Sequence, residues 1–187
     1  MKHPTIISTF STISALAILS CVAASRLSDG IYTIRSSQGS FIVDNKATPG
    51  ELVEFSRDTT VASSPMAQWN VVQNKAASNP NLFSIQNRQS NLYLSLDHST
   101  DTRRNPYTND EPVRLQKEYQ DWYLDTTVHA GYYDIESPVM GHQEKAYAIK
   151  SPDDEGDSDQ GENRGLTLKA VGELPSTHQG WLFEVVE

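Results

Sequence analysis

Apolar and polar residues alternate in short runs along most of this chain. "GIYTIRS", "LVEFS", "NLFSIQN", "PVRLQ", "YYDIE" and "LTLKA" each set an apolar side chain at every second position. That period of two is the signature of a half-buried strand, one face on the core and one in water. Gly, Pro, Asn, Asp and Ser fill the junctions and supply turn geometry. After the first 25 residues, no stretch of ten or more carries a helical period.

The runs themselves recur. An aromatic residue is followed two positions later by isoleucine at Tyr32 and Ile34, Phe83 and Ile85, and Tyr133 and Ile135. After a turn, a second aromatic strand begins at Phe41, Tyr93 or Tyr147. A short alternating strand comes next, then a strand bearing Trp69, Trp122 or Trp181. These are the chain's three tryptophans, 53 and 59 residues apart, and each follows a glutamine at one or two positions. Each indole is expected in the core, burying ~200 Å², with its glutamine amide tying down a turn. Four short strands repeated three times predict an all-β fold: a β-trefoil of twelve strands in three pseudo-repeats. The expected limits are about 29–77, 78–128 and 129–187 within a single domain of residues 26–187, with no substantial helix. One such repeat cannot bury its apolar face alone, so the three must close on one another. In the third repeat, aromatic to tryptophan takes 48 residues against 37 and 39. The excess falls in the acidic run "SPDDEGDSDQGENRG", expected to be a solvated loop.

Residues 1–25, "MKHPTIISTFSTISALAILSCVAAS", follow the plan of a secretory signal peptide: a lysine, an apolar stretch, then small residues. Export to the extracellular space follows as an expectation. Cys21, the only cysteine, lies inside this segment, so the mature chain is expected to carry no disulfide. The alternative for Cys21 is a lipoprotein signal. Removing Lys2 takes the formal charge from −9 to −10. An acidic chain without a basic cluster argues against nucleic acid and anionic membranes as partners.

The candidate chemistry is sparse. His98, His129, His142 and His178 stand in no metal-ligand spacing. Asp157, Asp159 and Gly161 share part of a calcium-loop pattern, without its terminal bidentate Glu. No nucleophile motif or glycine-rich phosphate loop occurs. The expectation is a binding protein rather than an enzyme, with no cofactor and no metal.

Two families resemble this repeat plan. Gln120-x-Trp122 and Gln179-x-Trp181 look like the Q-x-W repeat of ricin-B-type lectins, from which Gln68-Trp69 departs by one residue. The resemblance implies a sugar site with an Asp near the end of the second strand, a role that Asp44 and Asp97 could fill. It also implies an aromatic platform on the third strand, where Ser56, Gln116 and Lys169 are polar, and an Asn where Ala67, Tyr119 and His178 stand. Through "GIYTI", "SSPMAQWNVV", "DWYLD", "YYDIE" and "LTLKAV", the chain also resembles the β-trefoil serine protease inhibitors of mushrooms. That family includes secreted and cytosolic proteins; with the signal-like residues 1–25, the likeness implies a fungal secreted protein whose exposed loop docks into an extracellular serine protease. The loop would be "DNKATPGEL", with Lys46 between Asn45 and Ala47 as the anchor for an acidic pocket; Arg103 and Arg104 occupy the matching loop of the second repeat. The protease inhibitor ranks first on sequence, and the glycan-binding lectin is the alternative.

Overall fold

The structure, a computed structural model, describes residues 27–96, 110–127, 131–138, 146–150, 165–171 and 180–187. Within them run twelve strands: β1 (Gly30–Ser36), β2 (Phe41–Val43), β3 (Glu54–Ser56), β4 (Gln68–Gln73), β5 (Leu82–Asn87), β6 (Tyr93–Leu96), β7 (Val113–Gln116), β8 (Asp121–Thr126), β9 (Tyr132–Glu136), β10 (Tyr147–Ile149), β11 (Leu168–Ala170) and β12 (Trp181–Val185). Burial alternates as the sequence predicts in strands such as β5, with Phe83, Ile85 and Asn87 inward and Leu82, Ser84 and Gln86 partly exposed, whereas β2 and β10 are buried at every position. Helix among the described residues is limited to two 3-10 turns, Thr59–Ser63 and Pro65–Ala67.

Six strands form a closed ring of antiparallel pairs: β1 with β4, β4 with β5, β5 with β8, β8 with β9, β9 with β12, and β12 back to β1. The hairpins β2–β3, β6–β7 and β10–β11 cap this barrel. They are joined by a cyclic set of main-chain hydrogen bonds. Val53 N–H donates to Val113 O (3.0 Å), Val113 N–H to Leu166 O (2.8 Å), and Leu166 N–H to Val53 O (2.7 Å). Each repeat contributes one link, so the twelve strands are a β-trefoil, with its threefold axis running through this triangle.

The tryptophans are the core's matching pins. All three are fully buried, and each indole N–H donates to the carbonyl of its own repeat's second strand: Trp69 to Ile42 (3.0 Å), Trp122 to Leu94 (2.9 Å), Trp181 to Ile149 (3.0 Å). A buried indole N–H needs such a partner, because leaving it unpaired costs about 1–3 kcal/mol. These bonds fix the equivalences between repeats: Ile42, Leu94 and Ile149 correspond, and so do Phe41, Tyr93 and Ala148, one residue earlier. The sheet register agrees, pairing Phe41 with Arg35, Tyr93 with Gln86 and Ala148 with Glu136.

Candidate functional site

The loop after β2 is built on Asp44. Its side chain is fully buried, and Oδ1 accepts hydrogen bonds from the N–H groups of Lys46 (3.2 Å) and Ala47 (2.6 Å). These bonds fold the backbone tightly enough to put Ala47 at a φ of 51°. Asn45 donates from Nδ2 to Glu54 Oε2 (2.7 Å). The Lys46 ammonium lies 3.0 Å from Glu51 and 3.7 Å from Glu54, and its pKa is raised, chiefly by the hydrogen bond to Glu51. An anchor for an acidic protease pocket must leave its own loop to enter that pocket, and here it would first give up two carboxylates. Asp44 spends Oδ1 on the turn, while its Oδ2 is buried and makes no hydrogen bond among the described residues, so the side chain offers a ligand no exposed surface. The residues that the inhibitor and lectin likenesses single out in this loop are thus mutually engaged, Asn45 and Lys46 with acidic neighbours and Ala47 with Asp44. Asp97, Arg103 and Arg104 lie outside the described residues, but the indole bonds put Leu96, not Asp97, at the position of Asp44.

The same register explains the irregular glutamine. In the second repeat, Gln120 Oε1 accepts from Leu96 N–H (3.0 Å) and from the Ser95 hydroxyl (3.3 Å). In the first repeat, the Met66 carbonyl accepts from the equivalent N–H, that of Asp44 (2.9 Å). A main-chain group within a 3-10 turn does the work of the missing amide. Ala67 takes the Q-x-W position and is buried beside Phe41 and Val43. Met66, not Ala67, is therefore the counterpart of Tyr119.

That counterpart leads to the most ligand-like feature among the described residues. Leu82, Tyr93, Lys117, Glu118, Tyr119, Asp121 and Pro138 line a wide, open cleft of about 670 Å³. Tyr119 is 64% exposed, the most exposed aromatic ring described. Its ring centroid is 6.2 Å from that of Tyr93, and the planes are inclined by 60°, so the two rings form a corner. Asp121 is held in place by Asn74, whose Nδ2 donates to Oδ2 at 2.7 Å. The sequence reading missed this corner by seeking a platform on the third strand. The rings come instead from the first residue of β6 and from the loop before β8. The available signal was an aromatic residue, Tyr119, stranded in the polar run "QKEYQD".

Among the described residues, no group of three or more His, Cys, Asp or Glu is placed to hold a metal ion, and no helix is long and apolar enough to cross a membrane.

No protein-family model matches the sequence, nor does any curated protein. Solved structures match over most of the chain. The ricin B-like lectin of Macrolepiota procera, solved in complex with lactose, superposes with a TM-score of 0.62 at 13% identity, covering 86% of this chain and 98% of that one. The Rhizoctonia solani agglutinin gives 0.61 at 14% identity, covering 86% and 97%. ThreeFoil, a designed threefold-symmetric protein, gives 0.58 at 17% identity, covering 84% and 100%. The chain has a β-trefoil fold resembling that of the ricin B-like lectins.

Proposed function

We propose that this chain is an exported, non-enzymatic carbohydrate-binding protein that seats a sugar in the Tyr93–Tyr119 cleft. The observation that carries the reading is the pair of inclined tyrosine rings, one largely exposed, beside Lys117, Glu118 and Asp121. A pyranose has an apolar C–H face and a hydroxyl rim. The rings suit the first, and the polar side chains suit the second. Rigid aromatic side chains supply this contact at low entropic cost. The fold's likeness to lectins supports the same reading, and export rests on residues 1–25. Lys46, bound to Glu51 and Glu54, gives the inhibitor reading no comparable support.

The test is a glycan array probed with the purified protein, beside inhibition assays on trypsin, chymotrypsin and subtilisin. Saturable binding to a defined set of glycans, with no inhibition, is expected. Stoichiometric inhibition without glycan binding would overturn the reading.

A further inference from the structure

The threefold fold offers three equivalent corners, and among the described residues the first two differ in what fills them. In the first repeat, eleven residues (57–67) separate β3 from β4. Their two 3-10 turns fold back over the corner, and Val61, Ala62 and Met66 pack against the cluster containing Phe41. Phe41 is left 5% exposed, with the Arg35 guanidinium 6.0 Å from its ring centroid. In the second repeat, only four residues (117–120) separate β7 from β8. This loop is too short to return over the corner, so Tyr93, the counterpart of Phe41, borders the open cleft. In the third repeat the equivalent residue is Ala148, which supplies no ring.

We propose that the chain is monovalent: it carries one sugar site, in the second repeat, at the corner that the first repeat fills with its own side chains, and that site takes uncharged pyranoses in preference to anionic ones. This rests on the carbohydrate reading above and adds number, place and charge class to it. The self-filled corner shows what the position accommodates, namely a compact apolar surface laid against an aromatic ring. In the open corner a ligand supplies that surface. The rim selects by charge, since Glu118 and Asp121 bring two carboxylates against the single ammonium of Lys117, on a chain of net charge −9. A sialic acid carboxylate or a sulfate placed there meets like charge, which is disfavoured most at low salt. A hydroxyl donates to a carboxylate without that cost. One site per chain binds without cross-linking, so the single chain does not agglutinate cells.

The experiment is isothermal titration of the full-length protein with the strongest uncharged saccharide from a glycan array that also displays sialylated and sulfated glycans. A stoichiometry of one is expected. Tyr119→Ala, at an exposed position, and Tyr93→Phe, which keeps the ring, separate binding from folding. The first is expected to weaken binding about tenfold or more with an unchanged melting temperature, and the second to bind nearly as the wild type does. Two or three sites per chain, or full affinity in Tyr119→Ala, would overturn the single-corner assignment while leaving carbohydrate binding in place. Binding confined to anionic glycans would overturn the charge class alone. Binding to no glycan would remove the carbohydrate reading, and this inference with it.

Discussion

Asp134 of β9 lies directly opposite Asp125 of β8 in the antiparallel register. Its Oδ1 is buried and makes no hydrogen bond among the described residues. Burial first, and then the charge of Asp125, push its pKa up to about 6, while burial and the same acidic neighbours also raise Glu136. A carboxyl whose pKa is higher folded than unfolded stabilises the protein fully below its unfolded value, near 3.8, and that contribution is lost as pH rises through about 6. Asp134→Asn is therefore expected to raise stability at pH 7–8 by about 1–2 kcal/mol, allowing for the group's partial exposure, and to flatten the decline between pH 4 and 7. Urea melts of both proteins across that range check this, and an equal decline in the variant would refute it. Sequence alone could not reveal the pair. Alternation in "YYDIE" marks Asp134 as an outward polar residue, and its meeting with Asp125 depends on a register that periodicity does not encode.

At the scale of elements, the barrel strands were legible because they alternate, while the loops were not. The tryptophans show why. Their spacing announced three equivalent core positions, and the structure gives all three the same indole-to-carbonyl bond, at 2.9–3.0 Å. Trp69→Phe, Trp122→Phe and Trp181→Phe should each destabilise the fold by about 2–3 kcal/mol, from the orphaned carbonyl and the lost ring volume. Similar losses in denaturant melts are expected, and a near-neutral variant would contradict the equivalence. The one-residue departure at Gln68 reflects a longer preceding loop whose 3-10 turn brings the Met66 carbonyl to the equivalent N–H. Loop length likewise decides which corner is open. Eleven residues against four are plain in the sequence, but their consequence depends on where the loop lies in space.

For the molecule as a whole, closure is the source of stability. β12 completes the ring by pairing with both β1 and β9, Tyr32 lying opposite Val185 and Tyr133 opposite Trp181. Ending the chain after Gly180 would leave two barrel strands with open edges and remove Trp181 and Phe183 from the core. Such a variant is expected to lose its cooperative thermal transition altogether, as followed by near-ultraviolet circular dichroism; a retained sharp transition would show that the ring need not close. On the proposed reading closure also sets up the difference between the repeats, because the first two corners of one barrel differ in what covers them and the third has Ala148 in place of a ring. The most direct test of that claim is a nitrogen-15 chemical-shift titration of the protein with its best-binding uncharged glycan. Shifts concentrated at Tyr93, Lys117, Glu118, Tyr119 and Asp121, with the loop from Asp44 to Glu54 unmoved, are the predicted result. Shifts centred on Asp44 to Glu54, or spread over all three repeats, would contradict it.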